Sequence, residues 1–309
     1  MSSAMKTLAS GEVLWDIIKG EEFIGGAPFN LASHLAEMGA DSAMVSAVGD
    51  DERGTRALAA VKEKGVIDDF IARRPGLPTG IVEVQLDEAG KPTYDIREGS
   101  AWDSIELTDA QMNAISTQKW DILAFGALAQ RSERNRATLA KVLAAAAPKE
   151  IFCDVNLRLD YYSKEIIAES LEFCTILKLN DEEVPVISEL LYGKEILDQE
   201  FCRKMREDWE IHTTAITRGK DGASVCRGGH YIHVPVVDVK VVDTVGAGDS
   251  FSAAFLFGLH FTDDIEKAAN LATLVSSFVA SRSGAIPAYD EPVQKAIDRV
   301  YREATQSGE

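Results

Sequence analysis

Residues 243–251 read DTVGAGDSF and run into SAAFLFGLHF, an apolar stretch rich in small residues. A glycine turn therefore opens a buried helix. Backbone N–H groups left free at a helix start, together with the positive end of the helix dipole, suit an anion such as phosphate. Yet a carboxylate, Asp249, stands at that place; it either caps the helix or acts on whatever the turn binds. Four other segments carry groups able to do chemistry, and one more adds a turn. GEVLWD closes a strand on Asp16, which could accept hydrogen bonds from vicinal hydroxyls or cap a turn. IGGAPFNLA sets Gly25 and Gly26 before a helix with Asn30 in its first turn; adjacent glycines admit a ligand to the backbone or make a simple tight turn. CDVNLR presents Asp154, Asn156 and Arg158, whose planar guanidinium suits phosphate or carboxylate. KLNDEEV spaces Asn180 and Glu183 three apart on one face of a helix start, as oxygen ligands for Mg²⁺ through water or as a helix cap. TRGKDGAS contributes a turn with Gly219 and Gly222.

Short apolar runs alternate with amphipathic segments, which is the order that must position these groups. GEVLWDI, the helix-like APFNLASHLAEMG, SAMVSAVG and the helix-like RGTRALAAVKEKG read as βαβα. The pattern returns with WDILAFG, a helix over 131–147, EIFCDVN, a helix over 164–173, TILKLN, helices within 181–208, and HTTAIT. These are the signals of a parallel sheet, whose ligands bind at the carboxyl ends of the strands. Between the two runs, TGIVEVQLDEAGKPTYDI over 79–96 reads as a hairpin standing off that sheet, suited to serve as a lid. No linker or repeat divides the chain.

The 309 residues carry a formal charge of −18 and are 46% apolar. Such a charge argues against nucleic acid and membrane surfaces as partners, which need a basic face. Cys153, Cys174, Cys202 and Cys226 show no metal-ligand spacing, and buried reduced thiols are expected. MSSAMKTLAS lacks a long apolar core, so a cytoplasmic location is expected. No GxxxxGK[ST], HExxH or GxSxG occurs, and GAGDSF lacks the third glycine of GxGxxG.

With IGGAPFNLA, CDVNLR, KLNDEE, TRGKDGA and DTVGAGDSF in this order, the chain resembles the ribokinase-like sugar kinases of the phosphofructokinase B family over essentially its whole length, and most nearly their fructokinase branch. The resemblance implies an α/β fold with a mostly parallel central sheet flanked by helices, and a small β-sheet lid from about 17–24 and 79–100 on a single domain spanning 1–309. It implies transfer of the γ-phosphate of ATP, with Mg²⁺, to a sugar hydroxymethyl group. Asp249 matches the catalytic base, and Gly246, Ala247 and Gly248 match the backbone anion hole. Asp16, Gly25, Gly26 and Asn30 match sugar contacts, Arg158 a position near phosphate and sugar, and Asn180 with Glu183 the segment governing Mg²⁺ and phosphate. Thr217, Gly219 and Gly222 correspond to the adenine and ribose-phosphate loop, and Gly284 marks the last nucleotide-side turn. Asp243 matches a monovalent-cation ligand for K⁺, with an Asx-turn as the competing role. Arg97, just past the hairpin, is either a cation that reaches the sugar when the lid closes or a solvated surface arginine. Asp249, at a helix N-terminus, is expected to have a lowered pKa. Trp102 and Phe29 depart from the fructokinase pattern; each either shapes the sugar pocket or fills the core. Fructose is the expected substrate. Ribose, 2-keto-3-deoxygluconate or a nucleoside are the alternatives, as is a sugar-binding regulator without catalysis. The chain is expected to be a monomer or a homodimer joined through the lid.

Overall fold

The computed structural model describes residues 4–86 and 92–306. The tip of the expected hairpin, 87–91, lies outside them. In chain order the elements are β1 (Lys6–Ser10), β2 (Leu14–Ile18), β3 (Glu21–Gly25), α1 (Ala27–Glu37), β4 (Asp41–Gly49), α2 (Glu52–Glu63), β5 (Ile71–Arg74), β6 (Gly80–Leu86), β7 (Pro92–Ile96), α3 (Asp109–Ser116), β8 (Ile122–Gly126) and α4 (Glu133–Ala146). They continue through β9 (Glu150–Asp154), α5 (Lys164–Phe173), β10 (Ile176–Asn180), α6 (Glu183–Tyr192), α7 (Asp198–Trp209), β11 (Thr213–Thr217), β12 (Ala223–Arg227), β13 (His230–Val234), α8 (Ala247–Thr262), α9 (Ile265–Ala280) and α10 (Glu291–Gln306).

Among the described residues, nine strands form one sheet in the order β13-β12-β11-β10-β9-β8-β1-β4-β5, parallel from β5 to β11 and antiparallel at the β12–β13 edge. Its middle strands are buried along nearly their whole length, as in β4 from Ser42 to Gly49, because helices cover both faces. One apolar layer joins α1, α8, α9 and α10 to the sheet, and the other joins α4, α5, α6 and α7 to the opposite face. Helix α8 is buried from Ser250 through Leu259, which explains its lack of a polar face. The four cysteines are free thiols, three of them buried.

A second sheet, β3-β2-β6-β7, stands apart from the first. Here the sequence reading needs correction. GEVLWDI is not the opening strand of the main sheet; that strand is KTLAS, and Leu14–Ile18 belongs to the small sheet. KTLAS carries one short apolar pair and small polar residues, a weak strand pattern, yet its position between β4 and β8 buries nearly all of it. Asp16 accordingly lies in the middle of a strand of the small sheet, opposite Phe23 and Val82, not at a strand end of the main sheet. The strand order turns around at β1. Its neighbours β4 and β8 lead away in opposite directions, which opens a crevice at their carboxyl ends.

Candidate active site

Gly25 and Gly26 close β3 and begin α1, and each makes room for the chain itself. A Cβ on Gly25 would lie 2.3 Å from Asp16 Oδ2, and one on Gly26 would lie 2.3 Å from the Glu12 carbonyl oxygen. Gly26 also takes φ 112°, which side chains rarely adopt. The pair therefore fixes where the carboxyl of Asp16 and the loop at Glu12 sit against the start of α1. One turn into α1, Asn30 is buried and its Nδ2 donates to Asp249 Oδ2 at 2.7 Å, while its Oδ1 has no hydrogen-bond partner among the described residues. The amide at the start of α1 and the glycine-turn carboxylate are thus in contact.

Asp249 does not cap α8. Gly246 occupies the N-cap position with φ 75° and the helix has no side-chain cap. A Cβ on Gly246 would fall 2.5–2.7 Å from atoms of Ala285, so this turn cannot take a side chain. The Ala247 N–H bonds the Thr244 carbonyl at 3.3 Å and the Ser250 N–H bonds Gly246 at 2.8 Å; the Gly248 and Asp249 N–H groups between them have no backbone acceptor among the described residues. The lowered pKa expected for Asp249 is not found. Burial pushes it up to about 6; donation by Asn30 opposes the rise, Asp154 adds to it, and Lys178 and Arg158 oppose it. Desolvation and a neighbouring carboxylate outweigh the helix end. Asp16 is likewise raised to about 6 by burial, with Arg158 opposing and Asp249 adding.

Three groups escaped the sequence reading or were undervalued in it. Glu12 is buried, its Oε2 has no hydrogen-bond partner among the described residues, and burial foremost raises its pKa to about 7. Lys178 is buried in β10, its Nζ 3.0 and 2.9 Å from the two oxygens of Asp154, its register partner on β9. Burial lowers its pKa, but Asp154 and Glu183 more than offset this, and the net shift is upward. Asp154, read before only as a polar group at a strand end, also accepts from Ser252 Oγ of α8 at 3.1 Å. The available signal was ILKLN, a lysine inside an apolar run, because a lysine buried in a sheet requires a partner.

The remaining candidates are spread over several places. Thr217, Gly219, Gly222, Ala247 and Gly248 share the wall of one cavity of ≈ 350 Å³, together with Phe251. Gly222 takes φ 83°, and a Cβ there would meet the Val234 carbonyl at 2.1 Å. Gly284 lies instead at Asp243, whose Oδ2 accepts from the Gly284 N–H at 3.2 Å while Oδ1 accepts from Val245 N–H at 3.0 Å, so an Asx-turn is present. Arg158 is half-buried and donates to the Leu157 carbonyl at 3.0 Å, close enough to Asp249, Asp16 and Glu12 to act on all three. Arg97 is exposed and paired with Glu83 across the small sheet. Phe29 and Trp102 are fully buried core residues; Trp102 packs beside Leu14 and Val82 and under the Arg131 guanidinium at 4.3 Å.

Asn180 and Glu183 bond each other's backbone, Asn180 N–H to Glu183 Oε2 at 2.8 Å and Glu183 N–H to Asn180 Oδ1 at 2.9 Å. Glu183 Oε1 accepts from the Leu157 N–H at 2.7 Å. Both carboxylate oxygens therefore serve the backbone, and among the described residues no cluster of three or more histidine, cysteine or acidic groups could hold a metal. This donor set fits Mg²⁺ that arrives on nucleotide phosphates and keeps its waters, not an ion held by the protein alone.

A family model, pfkB family carbohydrate kinase, matches residues 5–292. The chain belongs to this family. It is 29% identical to a sugar kinase of Pyrococcus horikoshii, PH1459, over 89% of this chain and 90% of that one. It is 30% identical to a fructokinase of Escherichia coli over 77% of each chain. The crystal structure of PH1459 in complex with ATP superposes with a TM-score of 0.82 at 28% identity, covering 96% of this chain and 100% of that one. A fructokinase structure from Vibrio cholerae shares the fold, with a TM-score of 0.81 at 22% identity over 95% of this chain and 98% of that one. The expected α/β architecture, with its mostly parallel sheet and small second sheet, is present. The protein is an ATP-dependent carbohydrate kinase of the pfkB family.

Proposed function

We propose that this kinase phosphorylates the hydroxymethyl group of fructose, with Asp249 as general base. The observation that carries the reading is the Asn30–Asp249 hydrogen bond at 2.7 Å, one residue from Gly248 on the wall of the nucleotide-sized cavity. It supports reading Asn30 as a sugar-binding amide, Asp249 as a base and the turn at Gly248 as an anion site within one contiguous group. ATP fills the cavity beside Thr217, Gly219 and Gly222, and the free N–H groups of Gly248 and Asp249 receive the γ-phosphoryl oxygens. Asp16 and Asn30 hold the sugar hydroxyls, each able to accept from a hydroxyl. The hydroxymethyl oxygen attacks phosphorus, its proton passes to Asp249, and ADP leaves; fixed N–H donors stabilise the developing charge. Mg²⁺ arriving with ATP would supply charge neutralisation of the phosphates, beside the segment that Asn180 and Glu183 order.

The small sheet acts as the lid. Arg97 exchanges Glu83 for the sugar side when it closes, and a second copy of the chain could pair through the same sheet. K⁺ beside Asp243 would steady the turn at Gly246. Support for fructose comes from the fructokinase of E. coli, and among the described residues no helix is long and apolar enough to cross a membrane. A coupled ADP-release assay over fructose, ribose, 2-keto-3-deoxygluconate and nucleosides tests the choice. Fructose should give the highest kcat/KM, and a site built to bond a given hydroxyl can discriminate by about 10⁴-fold. A decisive preference for another member of the panel would replace fructose as the substrate.

A further inference from the structure

Lys178 is flanked in β10 by the buried Leu177 and Leu179. A cation so placed needs a counter-charge, and Asp154 supplies it through both carboxylate oxygens. An ammonium has three N–H donors, so one is left over. Its direction is set by a second neighbour: Nζ lies 3.3 Å from where a Cβ on Gly248 would stand. Gly248 carries one of the two N–H groups without a backbone acceptor at the start of α8 and lines the nucleotide cavity. Ser252, one turn further along α8, donates to Oδ2 of the same carboxylate at 3.1 Å. The lysine, its counter-ion and the glycine turn are therefore one assembly, with the cation against the turn.

We propose that Lys178 is a catalytic residue whose third N–H donates to an oxygen of the γ-phosphoryl group held at Gly248. This rests on the ATP-dependent kinase reading above. The ammonium keeps all three protons throughout. As the bond from γ-phosphorus to the ADP oxygen breaks and the bond to the sugar oxygen forms, the sugar proton goes to Asp249 and the lysine stabilises the charge on the phosphoryl oxygens. Asp154 holds the ammonium in place, and Ser252 couples that position to α8.

The test needs no knowledge of the sugar. Dissociation constants for ATP and ADP, each with Mg²⁺, are measured for the wild type, Lys178→Met and the double variant Lys178→Met/Asp154→Leu. The single variant leaves Asp154 buried and unpaired and loses stability, whereas removing both charges restores it. The double variant should bind ADP within about threefold of wild type but ATP at least about tenfold more weakly, since a charge-assisted bond to the γ-phosphoryl is gone. A folded double variant with the wild-type ratio of ATP to ADP affinity would make Lys178 only the counter-ion of Asp154 and overturn the proposal. A measurement on the unmodified protein guards against a variant that fails to fold: the ¹⁵Nζ resonance of Lys178 should shift on adding ATP and stay near its free position with ADP. An unmoved resonance with ATP bound overturns the proposal while leaving the kinase reading intact. A wild type that binds neither nucleotide overturns both.

Discussion

Asn30 Nδ2 lies 2.7 Å from Asp249 Oδ2, although the two residues are 219 positions apart in the chain. The bond joins the first turn of α1 to the first turn of α8, so the groups proposed for sugar binding and phosphoryl transfer are in direct contact. Asp249→Asn keeps shape and polarity but removes the base. Turnover should fall by about 10²–10⁴-fold, while Tm at neutral pH does not fall, because Asp249 caps nothing and the substitution removes a charge that burial disfavours. A folded variant within about threefold of wild-type kcat would leave the mechanism without its base.

The pKa of Asp249, raised to about 6, sets an acid limb. A protonated Asp249 cannot accept the sugar proton, so kcat/KM should decline as pH falls through that value, about tenfold per pH unit once below it. A rate that stays flat down to pH values near the ordinary carboxylate range would show that another group takes the proton.

Asp16 governs stability in the opposite sense from a salt-bridged acid. Its folded-state pKa of about 6 exceeds the ordinary value of 3.8, so the folded protein binds the proton more tightly than the unfolded chain. Its contribution is then fully present below the unfolded value and is lost as pH rises through the folded one. Asp16→Asn should raise the ligand-free Tm at pH 8, by roughly 2–4 °C for each kcal/mol recovered. The gain should shrink between pH 6 and pH 4. A variant less stable than wild type at pH 8 would mean that the carboxylate is held by favourable contacts.

Gly246→Ala sets a Cβ against Ala285 at 2.5–2.7 Å and forces alanine to φ 75°. Strain of this kind costs about 1–3 kcal/mol. The turn should relieve it by shifting its N–H groups, so kcat drops with Tm. Wild-type kcat in the alanine variant would show that this turn does not position the phosphoryl group.

Glu183 separates a structural carboxylate from a metal-side one. Glu183→Gln sets an amide donor against one of two backbone N–H groups, which should destabilise by about 1–3 kcal/mol and leave the Mg²⁺ activation constant within about twofold. An unchanged Tm with a shifted Mg²⁺ requirement would reverse the assignment.

Much of this was legible in the sequence because it is local. Glycine turns, caps and alternating α/β periodicity depend on near neighbours, so α1, α2, β8 to β11 and the hairpin arms β6 and β7 fall where periodicity sets them. β1 was missed because the burial that makes KTLAS a strand comes from β4 and β8, not from its own pattern. The same cause placed Asp16 in the wrong sheet. The β12–β13 edge went unread, since ASVCR and HYIHV follow a turn where another parallel strand would ordinarily require a crossover. The raised pKa of Asp249 depends on Asp154 and on desolvation by distant elements, and neither is a property of a motif. Phe29 and Trp102 illustrate the converse: unusual residues within a recognisable motif went to the core.

The central place of β1 has a consequence for how the molecule is made. β1 pairs with β4 about 35 residues downstream but with β8 only after the hairpin sheet and α3 have been synthesised, and the Lys6 N–H is held by Asp121 Oδ2 across 115 residues. Closing so long a loop before its contacts form is entropically slow. The three strands β1, β4 and β5 can assemble while the chain is still being translated, but their β8-facing edge must stay unpaired until residue 126 has emerged from the ribosome. During that interval β1 is an exposed template for another strand, of its own chain or a neighbouring one. The small polar residues of KTLAS, poor as a strand signal, make that waiting edge less sticky.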